Sequence, residues 1–263
     1  MDLGLKGKNV IVTGGASNIG RAISIAFAEE GANVSIVDLD EDNAKKVAEI
    51  IRGKGSKALT NRADVTNYAD VERVVKANAA ELGGIDVMVN GVGWDDFTPF
   101  LDIPVEKFDK YISLNLRHVL YFTKAVLPFM IEKKSGAIIN ISSDAGRIGE
   151  FRESIYSAAK GGVITFSKNI AREFGRYSIR CNSICPSVTF PPEEEMGKDS
   201  MLRGDMVAAL FPPEAREKLA KSYPLRRLGK PQDIANMVVF AASERCTFLT
   251  GQTISVNGGY SML

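Results

Sequence analysis

Histidine and tryptophan each occur once in this chain, and cysteine only three times. Cys181, Cys185 and Cys246 sit in or beside apolar segments without metal-ligand spacing, so they read as buried thiols in a reducing compartment, and no metal is expected. An excess of one charge is also missing. The net charge of +1 argues against the basic footprint of a nucleic-acid binder. No apolar run approaches the roughly twenty residues that span a bilayer. The segment from Met1 to Lys8 lacks a signal-peptide pattern, so the expectation is a cytoplasmic protein with no membrane or nucleic-acid partner. Repeats, low-complexity tracts and linkers are absent as well.

What is present is an ordinary core-forming composition. With 263 residues, 45% hydrophobic and 25% charged, the chain can bury one large core, and a single domain over 1–263 is expected. Strand-like runs at Val10–Thr13, Val34–Asp38, Ala58–Asp64, Val87–Asn90, Ile138–Ser142, Ile179–Ile184 and Ile254–Val256 alternate with helical stretches. That alternation predicts an α/β fold: a Rossmann-type, doubly wound, mostly parallel seven-stranded sheet with helices on both faces. Ligands of such sheets bind beyond the carboxyl ends of the strands, where Gly14, Asn90, Ser143 and Pro186 fall. One stretch breaks the rhythm. Residues 187–223 are rich in Pro, Met and charge, and an insertion of that length is a lid or binding loop. Met201, Leu202, Met206, Leu210 and Phe211 would cover substrate, while Glu193, Glu194 and Glu195 are expected to be solvated.

Two patterns carry chemistry. Tyr156 and Lys160 are four residues apart, which on a helix stacks them on one face. A phenol of pKa about 10 is a weak base at neutral pH, and a nearby ammonium favours the phenolate, so Tyr156 could exchange a proton with an alcohol or carbonyl. Near the N-terminus, a buried-strand pattern runs into Gly14-Gly15-Ala16-Ser17-Asn18-Ile19-Gly20 and then an amphipathic helix. Such a turn brings backbone N–H groups and a helix N-terminus up to a pyrophosphate. About twenty residues on, a second strand ends in Asp38, whose carboxylate would accept from a free ribose 2′-hydroxyl and repel a 2′-phosphate. No Lys or Arg lies within the glycine turn. NAD is therefore the expected cofactor.

Together these residues resemble the short-chain dehydrogenase/reductase family over essentially the whole chain. Its glycine motif falls on Thr13, Gly14, Ile19 and Gly20, with Ser17 and Asn18 between; its Asn-Asn-Ala-Gly resembles Asn90-Gly91-Val92-Gly93; its Tyr-x-x-x-Lys is Tyr156 and Lys160. The resemblance implies Asn115, Ser143, Tyr156 and Lys160 as catalytic residues, with Ser142 the neighbour of the chosen serine. It implies adenine-side contacts from Asp64 and Val65 and, beside Asp38, from Leu39. Around the nicotinamide it points to Asn90, Gly91, Pro186 and either Val188 or Thr189. Asn115 would hold a water relaying protons to Lys160. Two departures stand out. Asn18 replaces the middle glycine and is the side chain best able to keep left-handed angles. Ser187 replaces the glycine that usually follows the proline. Members of the family usually form homotetramers, and the tail at Ser261-Met262-Leu263 could reach a neighbouring subunit's site.

A narrower resemblance runs through Gly93-Trp94-Asp95-Asp96-Phe97-Thr98-Pro99-Phe100, Ser143-Asp144-Ala145-Gly146-Arg147 and Lys160-Gly161-Gly162, which are similar to the 2-hydroxycyclohexanecarboxyl-CoA dehydrogenases. It implies a small-molecule substrate carried as a CoA thioester. Trp94 would cover an alicyclic ring or the pantetheine arm, or else pack the base of the lid. Arg147 and Arg152 would meet a CoA phosphate, or else stand as solvated charges. Ser187 completes the expected substrate contacts. The alternatives are a 3-oxoacyl-carrier-protein reductase, which generally prefers NADP, a sugar or polyol dehydrogenase, and a nucleotide-sensing module without turnover. The sole histidine, His118, reads as a core or interface residue.

Overall fold

The computed structural model describes residues 1–196 and 201–263. Seven strands form one sheet: β1 (Asn9–Thr13), β2 (Asn33–Asp38), β3 (Ala58–Arg62), β4 (Val87–Asn90), β5 (Gly136–Ile141), β6 (Ile179–Pro186) and β7 (Thr253–Val256). Their order is β3-β2-β1-β4-β5-β6-β7, and every pairing is parallel. Strands buried on both faces explain the near-continuous apolar runs of β1 and β4. Strand ends differ from the sequence expectation by at most two residues.

The chain leaves β1 toward one edge and β4 toward the other, so a crevice opens above Thr13 and Asn90. Helices α1 (Asn18–Glu29), α2 (Glu41–Gly53) and α10 (Pro231–Ala242) pack one face, where Val10, Val12, Ile23, Phe27, Val34, Ile36, Ile234 and Val238 make one core. Helices α3 (Tyr68–Leu82), α5 (His118–Lys133) and α7 (Ser154–Phe174) cover the other, around Ile11, Val74, Met88, Phe122, Val126 and Ile138. Between α4 (Phe108–Ile112) and α5 the chain makes a π-helical turn over Ser113–Arg117, a feature frequent at functional sites. The short α6 (Ala145–Ile148) follows β5.

A buried polar ladder fixes the register of the crevice. Asn90 and Asn140 are neighbours across β4 and β5, and Asn140 and Ser183 across β5 and β6. The Asn90 amide donates to Asn140 Oδ1 at 2.7 Å, the Asn140 amide to Ser167 Oγ at 2.8 Å, and Ser183 Oγ to Ser167 Oγ at 2.8 Å. All four residues are fully buried.

The expected lid is mostly helical among its described residues, with α8 (Asp205–Leu210) and α9 (Pro213–Ala220). Residues 197–200 of that expectation, and the side chains of Met201 and Met206, lie outside the described ones. One glutamate corrects the solvated reading: Glu195 pairs with Arg21 of α1 at 2.7 Å, both side chains about three-quarters covered. In the tail, Asn257 and Ser261 donate to the buried Asp144, while Met262 and Leu263 stay exposed. None of the described helices is long and apolar enough to cross a membrane.

Asn140→Leu strands buried polar atoms on Asn90 and Ser167, so it should lower unfolding free energy by about 2–4 kcal/mol in urea titration without abolishing the fold.

Candidate active site

A cavity of about 430 Å³ occupies the crevice, lined from the glycine turn through Tyr156 and Lys160 to the lid. At one end, Gly14 takes φ +65° and Asn18 φ +50°, the left-handed angle its side chain tolerates. Gly20 is required by close approach: a Cβ there would lie 1.9 Å from the Gly14 carbonyl oxygen. Ser17 starts α1 without a side-chain capping bond. Ser17, Asn18, Ile19 and Gly20 all line the cavity.

Asp38 closes this end. Its Oδ2 accepts from Ala16 N at 3.0 Å and its Oδ1 from Asp40 N at 3.1 Å. Burial raises its pKa and the surrounding N–H groups pull it back. Arg62 ends the neighbouring strand opposite Asp38, yet its guanidinium turns to Glu41, 3.5 Å away. Leu39, Asp64, Val65 and Gly91 line the same end. Asn90 is fully buried on the ladder and is not among the residues lining the cavity. The glycine cradle and the Asp38 carboxylate, which line one cavity, suit a dinucleotide.

At the other end, Lys160 is 2% exposed and donates to the Ile141 carbonyl at 2.9 Å. Burial pushes its pKa down to about 8. Its ammonium lies 5.6 Å from the Tyr156 ring centroid. Contrary to the expectation that Lys160 depresses the tyrosine, burial and then the Glu153 charge raise the Tyr156 pKa, with the Ser143 hydroxyl opposing them. The two serines separate cleanly. Ser142 Oγ is spent on the Lys160 carbonyl at 2.8 Å, whereas Ser143 Oγ faces Tyr156 and accepts from Ala145 N at 3.1 Å.

Asn115 sits fully buried in the π-helical turn. Its Oδ1 accepts from Trp94 N at 2.9 Å, and its amide donates to Trp94 O at 2.7 Å and Tyr111 O at 2.9 Å. The side chain thus ties down the loop after β4. A Cβ on Gly93 would lie 3.2 Å from Lys160 Nζ and 3.4 Å from Asn115 Oδ1, so the three converge. His118 is fully buried, its pKa pushed down to about 3 by desolvation first and Lys160 second. Neither ring nitrogen has a hydrogen-bond partner; the Val92 backbone stands only near enough to offset part of that shift.

The walls around Tyr156 are apolar and acidic. Trp94 lines the cavity while its ring packs on Tyr111 at 5.0 Å, under the Lys110 ammonium at 3.8 Å. Phe211 meets Phe97 at 5.8 Å and Phe190 at 5.9 Å, bringing the loop and the lid together. Phe97 holds φ +53°, a strained angle for a bulky residue beside a site. Pro186, Ser187, Val188 and Thr189 also line the cavity, although the Thr189 hydroxyl donates to Ser187 O at 3.0 Å and the Val188 carbonyl accepts from Gly229 N at 3.0 Å.

Arg147 and Arg152 correct the substrate-contact expectation. Arg147 donates to Ser255 Oγ at 2.6 Å and the Leu263 carbonyl at 3.1 Å, and Arg152, at φ +68°, carries its guanidinium over Phe151. Neither lines the cavity. Conversely, Asp95 and Glu153 do, and the sequence reading passed over both. The available signal was spacing: Glu153 precedes Tyr156 by three residues and Asp95 follows Trp94.

A family model described as enoyl-(acyl carrier protein) reductase matches residues 14–261. The chain is 33% identical over 255 residues to a 3-oxoacyl-(acyl-carrier-protein) reductase of Thermotoga maritima, covering 97% of this chain and 98% of that one. It is 34% identical over 256 residues to the protein of the same name from Staphylococcus epidermidis, covering 97% and 99%. A crystal structure of NAD⁺-bound xylitol dehydrogenase superposes with a TM-score of 0.89 at 28% identity, covering 97% of this chain and 99% of that one.

Ser143→Ala should lower kcat by about 10²-fold or more with the fold intact, whereas Ser142→Ala should cost about 1 kcal/mol of stability and little turnover. Steady-state kinetics with matched denaturation curves separates the two.

Proposed function

The chain belongs to the short-chain dehydrogenase/reductase family, and from that premise we propose that it interconverts a β-hydroxyacyl and a β-oxoacyl thioester with NAD(H), on an alicyclic acyl group such as that of 2-hydroxycyclohexanecarboxyl-CoA. The observation that carries this reading is a single cavity that joins Asp38, from which the Arg62 guanidinium turns away to Glu41, to Tyr156 beneath an aromatic lid. The ring suits walls of Trp94, Phe97, Phe190 and Phe211. The CoA part loses the support of Arg147 and Arg152; it rests on the narrower sequence resemblance. The 3-oxoacyl-carrier-protein reductase alternative shares the same β-oxoacyl chemistry and is favoured by the named relatives. Asp38 counts against its usual NADP preference.

A nicotinamide held between the glycine turn and Pro186 would supply the hydride acceptor or donor. Tyr156 exchanges the hydroxyl proton of the substrate, and Ser143 holds the reacting oxygen against it. Because burial raises the Tyr156 pKa, the phenol is protonated at neutral pH, the state needed to deliver a proton during ketone reduction. Lys160 places a buried positive charge behind it, and Asn115 keeps Gly93 and Trp94 in place. Exposed Phe151, Phe248, Met262 and Leu263 give apolar surface for the homotetramer, which is part of the proposal.

NADH should be preferred over NADPH by at least about tenfold in kcat/KM, and Asp38→Ser should narrow or reverse that ratio while leaving kcat with saturating NADH within a few-fold. Tyr156→Phe should remove about 10³-fold or more of kcat. An NADPH preference in the wild type would overturn the cofactor assignment.

A further inference from the structure

Two carboxylates face the reacting end of the cavity, and the proton transfer just described uses neither. Glu153 is the N-cap residue of α7, three residues before Tyr156, and its charge acts on the Tyr156 phenol. Asp95 approaches from the loop after β4. It is 2% exposed; its Oδ1 accepts from Asp96 N at 2.8 Å and Phe97 N at 3.3 Å, while its Oδ2 has no partner. Both line the cavity beside Tyr156.

Among the described residues, no cation neutralises the pair. Arg147 is held by Ser255 and the tail, Arg152 lies over Phe151, and Lys160 donates to Ile141. The remaining neighbour is another acid, Glu150, whose carboxylate accepts from the Tyr260 hydroxyl at 2.6 Å. Two anions in an apolar cleft suffer both desolvation and mutual repulsion, and taking up a proton relieves both. Burial, then the Asp95 and Glu150 charges, push Glu153 up to about 8; burial pushes Asp95 up to about 6. Of the two, Glu153 is therefore the one whose surroundings favour the protonated form more strongly. Its neutral form also spares Tyr156, since an ionised Glu153 opposes the phenolate.

We propose that Glu153 is a specificity-determining residue which, as a neutral carboxylic acid, donates a hydrogen bond to the acyl carbonyl of the substrate while the reacting oxygen meets Tyr156 one helical turn away. This rests on the β-oxoacyl reading above. Glu153 transfers no proton to product; it holds the second oxygen of a 1,3-dioxygenated substrate and so selects β-oxoacyl compounds over simple ketones.

The test follows NADH- and NADPH-driven reduction of ethyl 2-oxocyclohexanecarboxylate and of cyclohexanone by wild type, Glu153→Gln and Glu153→Ala, between about pH 6 and about pH 9. Wild type should favour the keto ester at neutral pH and lose that preference about tenfold above pH 8, as the acid ionises. Glu153→Gln keeps a donor that cannot ionise, so it should hold the preference across the range, whereas Glu153→Ala should lose it at every pH, chiefly through KM. Equal behaviour of the Gln and Ala variants, or a preference unchanged in both, overturns the inference. An infrared difference spectrum, wild type minus Glu153→Gln, reads the carboxyl without turnover. A protonated carboxyl band at pH 7 that titrates away near pH 8 is expected, and its absence at pH 7 overturns the inference even when the keto ester is reduced. Reduction of neither ketone with the band present overturns the β-oxoacyl reading itself.

Discussion

Everything at the mouth of this sheet depends on the buried ladder from Asn90 through Asn140 and Ser167 to Ser183. Parallel strands can slip against one another only by breaking it, because the Asn90, Asn140 and Ser183 donors are buried and each has its acceptor on the next element. The ladder also reaches α7 through Ser167, two turns beyond Lys160. Tyr156 and Lys160 are thereby held at a fixed height above the ends of β4, β5 and β6. A second set of bonds, from Asn115 to the backbone of Trp94 and Tyr111, fixes the loop that supplies the opposite wall.

That rigidity places charge where water cannot help it. Lys160, Tyr156, Glu153 and Asp95 all meet in one poorly hydrated volume, and burial is the largest influence on each of them. Lys160 drifts toward losing its proton and the three acids toward keeping theirs. The simple picture of a lysine lowering a tyrosine pKa describes two groups in isolation. Inside this cavity the ammonium donates to the Ile141 carbonyl, and the charges of Glu153 and Asp95 oppose ionisation of the phenol. The result is a site in which Glu153 and Tyr156 hold their protons while Asp95 and Lys160 keep their charges at neutral pH.

The glycine turn, Asp38 and the pair at Tyr156 and Lys160 were legible because each depends on local geometry. A positive φ, a strand end and one helical turn are properties of short segments, and Asn18 could be read as a left-handed residue before any fold was known. The choice of Ser143 over Ser142 was legible only through family resemblance. What decides it physically is a hydrogen bond from Ser142 to a carbonyl eighteen residues away. Arg147 and Arg152 were misjudged for a similar reason: the partners that turn Arg147 from the cavity lie on the last strand and the last residue of the chain. Glu195 was read as solvated because nothing near it in sequence carries its partner, Arg21.

The sequence by itself determined the alternation of strands and helices, the glycine turn and the spacing of the proton-exchanging pair, since periodicity and backbone freedom act over a few residues at a time. Tertiary structure alone decided which charges face the cavity. Side-chain direction and desolvation come from elements distant in sequence, and they put Asp95 and Glu153 beside Tyr156 while drawing the arginines away.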